Sequence, residues 1–529
     1  MKLELKELKI PVKAAAATGG NIDRRLQPYI AAALGIAPDA VHGYTIRQKS
    51  LDARKKGRPQ FIYRLEIEWS ESLPVPAGLM PVHPEPDLDY ARFAAAKPPQ
   101  GPLVVGTGPA GLMTAWLLAS NGCRPVIIDR GFDVDRRHVD IDDFFRTRQL
   151  SPDSNFLYGE GGAGTYSDGK LYTRIRDPRS SKVLELFVNA GAPEEIAYLK
   201  RPHIGSDILP AMVKNLRRQI VALGGTFLWG RHVVAPLLRQ GRCAGVRLAD
   251  GETLTGPATF LNFGLSAREL IAALIAAGIP HEPKGFQLGV RIEHPQELID
   301  RNQYGMSPRP SCLGAAEYNF VSRPEAADVA GVSSFCMCPG GEIVPATATP
   351  NHLSTNGMSR YRRDGEFANS CLIVTFRPDE FADAAAVFAR LRELEATAFT
   401  AGGGDYTAPA QDAAAFLRGE AGLKSIATSY RFGLHPARLD TLLPPPAVRG
   451  LQQALLRFDR QCPGFVRQGK LVGIETHVSS PVRFLRRDGS AASPIPGLYL
   501  AGEGAGFAGG IISAAVDGLR VAEDYLSNI

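Results

Sequence analysis

Short hydrophobic runs, each closed by glycine or an acid, mark a regular unit near residue 100. Leu103–Val105 is an apolar run, and Gly106-x-Gly108-x-x-Gly111 follows it at once. A helical pattern comes next, and a second apolar run, Val126–Ile128, ends in an acid. A strand, turn, helix and strand within about thirty residues form a βαβ unit. The pattern therefore predicts an α/β fold with a doubly wound, Rossmann-like parallel sheet.

The three glycines of this turn have different physical tasks. Gly106 permits a tight turn, Gly108 lets a ligand approach the backbone, and Gly111 lets the helix pack close to the sheet. The helix then presents unpaired N–H groups to phosphates, and Asp129 is placed to accept hydrogen bonds from a ribose. The alternative is a glycine-rich turn in an ordinary α/β protein. The flanking strands and the terminal acid favour the interpretation that this turn binds a dinucleotide.

A second glycine-rich segment lies at residues 155–171. Repeated glycines are unfavourable inside a helix or strand, because each loses much backbone entropy on folding. The segment also carries Tyr158, Tyr166 and Leu171, which are not typical of a flexible linker. We interpret it as backbone that wraps a ligand, with a flexible surface loop as the alternative.

The first pattern returns at the C-terminal end. Leu498–Leu500 is another short apolar run, residues 501–510 form a glycine-rich turn that carries an acid, and an amphipathic helix follows. The positive end of this helix favours negative charge near Gly510 and Ile511. The pattern predicts a second ligand-facing edge, far along the chain from the first.

The rest of the chain divides by composition and pattern. Paired strands with glycine turns between residues 226 and 248 predict a β-meander inside the dinucleotide-binding domain. The predicted units are an N-terminal basic α+β domain (1–73), a proline-rich linker (74–97), the dinucleotide-binding domain (98–284 and 431–529) and an inserted α+β cap domain (285–430).

Cysteine content and hydropathy indicate the compartment. The chain has seven cysteines among 529 residues, an odd number without a framework spacing, which favours a reducing environment and a cytoplasmic location. No cysteine cluster has the spacing of metal ligands, so no metal is expected. Apolar runs stay far below the length of a membrane span, and the N-terminus lacks a signal-peptide pattern, so no membrane partner is expected.

The net charge of +6 comes from the first 68 residues, which hold 13 basic and seven acidic residues. Within this region, residues 54–58 form a basic connection between two predicted strands. A nucleic-acid or acidic-partner site is one interpretation. Because no aromatic residues alternate with the charges, a solvated loop is favoured and nucleic-acid binding is not expected.

These features together resemble a known family. They are similar to the FAD-dependent dehydrogenases and oxidoreductases of the two-dinucleotide-binding-domain flavoprotein type, and most of all to a large bacterial branch of unassigned reaction with an N-terminal α+β domain. The resemblance covers nearly the whole chain. Its most specific motifs are residues 159–170, 291–295, 336–341, 356–359, 479–483 and 501–511.

The resemblance implies non-covalently bound FAD, with the diphosphate on the first turn and the flavin at the last. The residues implied to bind FAD are Gly106, Gly108, Pro109, Ala110, Gly111, Asp129, Arg130, Gly161, Gly162, Ala163, Gly164, Thr165, Gly502, Glu503, Gly509, Gly510 and Ile511. Three positions depart from the family pattern. They are Asp129 where Glu is commoner, Phe263-Gly264-Leu265-Ser266 in place of Thr-Gly-His-Ser, and His477 in place of Arg.

Four further residues are candidates for the reaction. His477 is a candidate acid or base, Arg291 and Arg483 are candidate anchors for a carboxylate substrate, and Cys338 with Cys336 is a candidate redox pair. A structural role is the alternative for each, and it is favoured for the cysteines and for a lone histidine. FAD alone brings hydride or electron transfer. No second strand-associated G-x-G-x-x-G occurs, so a substrate or NAD(P)H would enter from the cap side.

The resulting expectation is a cytoplasmic FAD-dependent oxidoreductase that exchanges a hydride with an unidentified small molecule. Two alternatives stay open. One is a flavin hydroxylase that uses NAD(P)H and oxygen. The other is a flavin-bearing protein that binds RNA or a partner through its basic N-terminal domain.

Overall fold

The computed structural model describes all residues except 19–20, 71–73, 83–87, 89, 94–97, 327–328 and 508. The chain begins with an antiparallel sheet in the strand order β2-β3-β1-β4. Its elements are β1 (Lys2–Pro11), α1 (Val12–Ala17), α2 (Gln27–Leu34), β2 (Gly43–Asp52), β3 (Gln60–Glu68) and β4 (Leu79–Pro81). The α+β character predicted for this region is therefore observed.

The last of these strands lies in the segment that the sequence predicted to be a linker. Leu79–Pro81 pairs antiparallel with β1 and forms an edge of the sheet. Proline is tolerated on an edge strand because no neighbour needs its missing N–H there. The boundary at residue 73 and residues 83–87, 89 and 94–97 of the predicted linker lie outside the described residues.

The predicted parallel sheet is present, in the order β23-β11-β5-β6-β7. The first part of this unit contains β5 (Leu103–Val105), α3 (Pro109–Ser120), β6 (Val126–Ile128), α4 (Val134–Thr147), α5 (Arg179–Asn189), α6 (Leu209–Ala222), β7 (Thr226–Leu228), β8 (Val233–Arg239), β9 (Arg242–Leu248), β10 (Thr253–Thr255), β11 (Thr259–Leu261), α7 (Arg268–Ala276) and β12 (His281–Pro283). Strands β8, β9 and β10 form the predicted meander.

The cap is built on a mixed sheet in the order β14-β15-β18-β13-β21-β19-β20. Its elements are β13 (Phe286–Pro295), α8 (Gln296–Tyr304), β14 (Val321–Ser322), β15 (Val332–Cys338), β16 (Glu342–Pro345), β17 (Thr355–Met358), β18 (Phe367–Phe376), α9 (Ala384–Ala401), β19 (Ala408–Asp412), α10 (Ala413–Arg418), β20 (Leu434–Pro436), α11 (Leu439–Leu442), α12 (Pro445–Gln461), α13 (Phe465–Gln468) and β21 (Lys470–Glu475). The chain then returns to the parallel sheet through β22 (Val482–Phe484), β23 (Leu498–Leu500) and α14 (Ile511–Leu526).

The cap sheet extends beyond residue 430, where the sequence analysis ended it. Strand β21 pairs with both β13 and β19 in the interior of the cap sheet. Every residue of β21 is buried, so its sequence shows no alternation that separates it from a strand of the parallel sheet. The return to the dinucleotide-binding unit comes after β21.

The parallel sheet is covered on both faces, which explains its uninterrupted apolar strands. Val104, Phe260 and Tyr499 face one core, which also contains residues of α3, α5, α6 and α14. Their neighbours Val105 and Leu261 face a second core, shared with the meander and α7. The glycine-rich turns therefore project from a sheet that is covered on both faces.

The N-terminal sheet touches both of the other units. The Lys49 N–H donates to the Tyr198 carbonyl (2.8 Å), and the Lys200 N–H donates back to Lys49 (2.8 Å). In the basic turn, the Gly57 N–H donates to the carbonyl of Tyr304, at the C-terminal end of α8 (2.7 Å). The negative end of a helix favours nearby cations, so the basic turn complements α8. Its backbone is thus tied to the cap.

Candidate functional site

The first glycine turn adopts a conformation that two of its glycines require. Gly106 has a φ of +92°, and a Cβ atom added there would lie 2.3 Å from the Asn262 carbonyl oxygen. A Cβ atom on Gly111 would lie 1.8 Å from the carbonyl oxygen of Gly106. Around Gly108 there is open space within 4 Å of the added atom. Gly106 and Gly111 therefore serve packing, and Gly108 faces the side where a ligand could lie.

The N-terminal end of α3 supplies donors at this open side. Gly108 is the N-cap and Pro109 the first helical residue, which has no N–H to offer. The free N–H groups of the first turn therefore belong to the residues that follow, beginning with Ala110. Together with the helix dipole, they make a positive end suited to a diphosphate.

Asp129 cross-links the first turn to the end of β6. Its Oδ2 accepts hydrogen bonds from the N–H (2.8 Å) and hydroxyl (2.6 Å) of Thr107, and its Oδ1 accepts from the Gly131 N–H (2.8 Å). A carboxylate offers about four lone-pair positions, which leaves one on Oδ1 for a ribose hydroxyl. Beside it, the Arg130 guanidinium lies 4.8 Å from the Tyr158 ring centre and pairs with Asp153.

The second glycine-rich segment lies directly against the first turn. The Gly161 N–H donates to the Thr107 carbonyl (2.9 Å), and a Cβ atom on Gly162 would lie 3.2 Å from the Cα of Gly108. A Cβ atom on Gly164 would lie 3.6 Å from Ile511 Cγ1. The Thr165 hydroxyl donates to the Glu160 carbonyl (2.8 Å), so Thr165 braces the segment itself. Ala163 is exposed.

The last glycine turn comes from the C-terminal end of the chain and lies beside the second glycine-rich segment. Gly510 is the N-cap of α14, and Ile511 begins that helix. The Glu503 carboxylate accepts a hydrogen bond from the Ser480 N–H (3.1 Å), and a Cβ atom on Gly509 would lie 2.1 Å from it. The Gly502 N–H donates to Asp517 (3.0 Å) and so shapes the turn. Burial raises the pKa of Glu503.

Comparison with known proteins indicates a cofactor that suits these three glycine-rich segments. Residues 102–136, which contain the first turn and Asp129, match a family model described as an FAD binding domain. Residues 285–478 match an FAD-dependent protein, C-terminal domain-like, and residues 4–68 match a domain of unknown function. An uncharacterised protein of Clostridium beijerinckii is 37% identical over 513 residues, which cover 95% of each chain. The chain belongs to the FAD-dependent oxidoreductase family.

It is therefore an enzyme, and its cofactor is FAD. Among solved structures, L-proline dehydrogenase from P. horikoshii is similar with a TM-score of 0.34 and 12% identity, covering 82% of this chain and 95% of that one. The fructosamine oxidase Amadoriase II from Aspergillus fumigatus has a TM-score of 0.35 and 12% identity, covering 82% and 87%. At these values the similarities say nothing about the substrate.

The residues present fit FAD. Gly108 has open space beside it, α3 begins with free N–H groups, and Asp129 keeps one acceptor position. Pro109 and Ile511, which begin α3 and α14, line one pocket together with Gly161 and Gly164. Each of these groups suits the part of FAD that the sequence analysis placed beside it, from ribose to diphosphate to flavin.

Arg291, predicted as a substrate anchor, has a different role in this oxidoreductase. Its side chain is completely buried, and its five N–H donors meet Glu475, Asn356, Asn369 and the Cys336 carbonyl. The Nε–Oε2 distance to Glu475 is 2.7 Å. No donor remains for a substrate, so the prediction is corrected to a structural ion pair inside the cap sheet.

The two cysteines lie at an irregularity of strand β15. Cys336 has a φ of +43°, and the register with β18 shifts between Phe335 and Cys338. Burial raises the pKa of Cys336 to about 12 and also raises the pKa of Cys338, so both thiols stay protonated at neutral pH. Because the thiolate is the reactive form of cysteine, this buried environment does not favour Cys338 as a nucleophile.

His477 and Arg483 lie in different surroundings. His477 is half-buried, and its Nε2 lies 3.5 Å from the guanidinium of Arg268, which pairs with Glu395. Burial, together with Arg268, lowers the pKa of His477 to about 4, so its ring is neutral at neutral pH. Arg483 lies on the β12–β22 ribbon, is 46% exposed and pairs with Glu282 (3.6 Å). The structure does not bring Arg483 together with Arg291.

The sequence analysis missed a charged cluster where the second glycine-rich segment meets the cap. Arg363 holds the buried Asp168 through two hydrogen bonds, and Lys170 lies 3.2 Å from the same carboxylate. The Lys170 ammonium also donates to the Met337 carbonyl. The signal was available in the Ser-Asp-Gly-Lys end of that segment, since charged residues are unusual in a glycine-rich loop.

Proposed function

We propose that this oxidoreductase is a dehydrogenase that binds FAD without a covalent bond and exchanges a hydride with a small organic molecule. The observation that carries the proposal is the contact between Gly164 and Ile511, because it joins the cofactor-wrapping segment to the N-terminal end of α14. When bound, FAD supplies an acceptor or donor for a hydride. The substrate and any NAD(P)H are proposed to reach it from the cap side.

The chain's own residues would hold the cofactor in three places. Backbone N–H groups at the start of α3 would meet the diphosphate, and Asp129 would accept from the adenosine ribose. Glu503 would accept from the ribityl hydroxyls, helped by Gly509, whose missing side chain leaves room for the carboxylate. The N-terminal end of α14 would stabilise negative charge on the reduced flavin.

Neutral His477 is proposed to lie near the reacting end of the cofactor. It follows β21, and three residues later the Ser480 N–H contacts Glu503. A neutral imidazole accepts a proton at its unprotonated nitrogen. The Nδ1 of His477 lies 3.3 Å from the Thr476 hydroxyl, and the nearby Arg268 keeps the ring neutral. A His477→Gln variant would retain a hydrogen-bonding group without the base, so a loss of turnover with unchanged FAD content would support this role.

An anaerobic screen tests the proposal. The purified holoenzyme is mixed with small-molecule metabolites, and loss of the visible flavin band reports a substrate. A solution of free FAD with the same absorbance, treated in parallel, controls for nonspecific photoreduction. Reduction by a metabolite at a rate that saturates with its concentration supports a dehydrogenase. Reduction by no metabolite, in a protein that NADPH reduces rapidly, contradicts it.

The hydroxylase alternative is separated by a second mixing step. The enzyme is reduced with NADPH in a stopped-flow instrument and is then mixed with oxygen. A dehydrogenase is expected to return to the oxidised spectrum in one phase, without an oxygen adduct. A transient with the spectrum of a flavin hydroperoxide would replace the dehydrogenase proposal with a hydroxylase.

The basic N-terminal domain is proposed to hold the cap rather than to bind RNA. The contact between Gly57 and Tyr304 supports this role, since it ties the basic turn to α8. Fluorescence anisotropy of the full chain with a labelled RNA, over a salt series, is expected to detect no salt-dependent binding.

None of the helices in the described part of the chain has both the length and the apolar character needed to cross a bilayer.

A further inference from the structure

Arg137, in α4, is a buried cation without an acidic partner. Its side chain has no exposed surface, and no ion pair joins it to a carboxylate among the described residues. Its Nε donates to the Asn155 carbonyl (2.8 Å), and its Nη1 donates to the carbonyls of Glu160 (2.7 Å) and Gly162 (2.9 Å). Within the described part of the chain, its Nη2 has no hydrogen-bond partner. Arg137 thus meets three carbonyls of the second glycine-rich segment and the face of the Tyr166 ring (4.8 Å), while the carboxylates of Asp129 and Glu160 act on it only at a distance.

Other buried arginines of this protein are neutralised. Arg291 pairs with Glu475, and Arg363 pairs with Asp168. An unpaired buried charge is costly, because desolvation is not offset by a partner. Burial lowers the pKa of Arg137 to about 10, which still leaves it protonated at neutral pH. Asp129 and Glu160 act on this charge only at a distance, so no ion pair within the described residues neutralises it.

The carbonyls that face Arg137 determine where the neighbouring N–H groups point. In a trans peptide the C=O and the next N–H point in opposite directions. With the Glu160 carbonyl toward Arg137, the Gly161 N–H points away and reaches the Thr107 carbonyl (2.9 Å). By the same geometry the Ala163 N–H points away from Arg137, at an exposed position that follows Gly162, the residue beside Gly108.

We propose that Arg137 is a positioning residue for the FAD diphosphate. It holds the carbonyls of Glu160 and Gly162 inward, so that the N–H of Ala163 faces the diphosphate from the side opposite α3. Its own charge lies behind this peptide and adds to the positive potential at the first turn. The inference rests on FAD binding alone and is independent of which reaction the enzyme catalyses.

Two ligands that differ only in the diphosphate test this role. The full-length chain, stripped of FAD, is titrated with ADP and with adenosine, for the parent protein and for Arg137→Met. We expect ADP to bind about 10- to 100-fold more weakly to the variant, the range for loss of a charge-assisted interaction. Adenosine affinity is expected to stay unchanged. Arg136→Met is the matched control, because Arg136 is adjacent and 61% exposed.

Two outcomes would overturn the proposal. An equal loss of ADP and adenosine affinity would mean that Arg137 only braces the loop, and unchanged ADP affinity would mean that it contributes nothing to the diphosphate. Where Arg137→Met gives no folded protein, Arg137→Lys replaces it. Lysine retains the charge but cannot reach three carbonyls, so a smaller loss confined to ADP is expected, and an equal loss of both ligands again overturns the proposal.

Discussion

Gly518 of α14 lies directly against Ala110 of α3. A Cβ atom added to Gly518 would lie 2.1 Å from the Ala110 carbonyl oxygen, and the Thr114 hydroxyl donates to the Gly518 carbonyl (3.0 Å). These two helices begin at the two glycine turns that we propose to bind the diphosphate and the flavin. Their close approach therefore fixes the distance between those turns.

Substitution of Gly518 by alanine is expected to separate these helices. Since the added methyl would meet backbone, the structure cannot yield locally, and overpacking of this kind costs about 1–3 kcal/mol. We expect Gly518→Ala to lower the melting temperature and to weaken FAD binding, both measured on the full chain. Gly314→Ala is the control, because no atom lies within 4 Å of its added Cβ. Equal melting temperatures for both variants would contradict the close contact.

The first turn allows binding and folding to be separated. Gly108→Ala adds a methyl into open space at a φ of −65°, which alanine adopts freely, so the FAD-free protein is expected to keep its melting temperature. The methyl would occupy the cofactor side, and FAD affinity is expected to fall at least about tenfold.

Gly111→Ala serves as the contrasting variant. Its methyl would meet the Gly106 carbonyl oxygen, so the FAD-free protein itself is expected to lose stability. Thermal denaturation and FAD titration of the two variants check both expectations. Loss of stability in Gly108→Ala without a change in FAD affinity would show that Gly108 does not face the cofactor.

The cofactor edges could be predicted from sequence because local rules determine them. The turn after β5, the acid after β6 and the turn before α14 each follow from glycine spacing beside a short buried strand. The long distance along the chain did not prevent this prediction, because the C-terminal ends of parallel strands meet at one edge of a sheet. The meeting of the first and last of these units, at Ala110 of α3 and Gly518 of α14, follows from this rule.

The cap residues could not be predicted in the same way. Arg291 looks identical in sequence whether it binds a substrate or pairs with Glu475, because its partners come from β15, β17, β18 and β21. The end of the cap was missed for a related reason, since a fully buried strand has the same apolar pattern in either sheet. Long-range pairing decided both, and a single sequence does not contain that information.

The corrected role of Arg291 makes a prediction about stability. Arg291→Met leaves the buried Glu475 without its cation, which is expected to lower the free energy of unfolding by about 3–5 kcal/mol. Adding Glu475→Gln is expected to recover part of this loss, because the uncompensated charge is removed. Chemical denaturation of the single and double variants measures both effects. A single variant as stable as the parent protein would instead restore Arg291 as a residue available to a substrate.

Three histidines with lowered pKa values predict how the stability of the protein depends on pH. Burial lowers the pKa of His203, His294 and His477 to about 4, from an unfolded value of about 6.5. Between these values the unfolded chain binds more protons than the folded one. The free energy of unfolding should therefore be highest above about pH 6.5 and fall as the pH is lowered toward 4. Each histidine contributes up to about 1.4 kcal/mol per pH unit in this window.

Replacing one of these histidines should remove its share of that slope. His477→Gln is expected to remove the contribution of one titrating group, up to about 1.4 kcal/mol per pH unit, from the change in unfolding free energy between pH 6.5 and 4. Urea denaturation at several pH values measures this change. His138→Gln, a substitution of an exposed histidine, controls for the exchange of side chain itself. Because Arg268 contributes to the lowered pKa of His477, an Arg268→Gln variant should move the acid midpoint of this residue upward. Parallel pH profiles for the parent protein and His477→Gln would show that the ring titrates alike in both states.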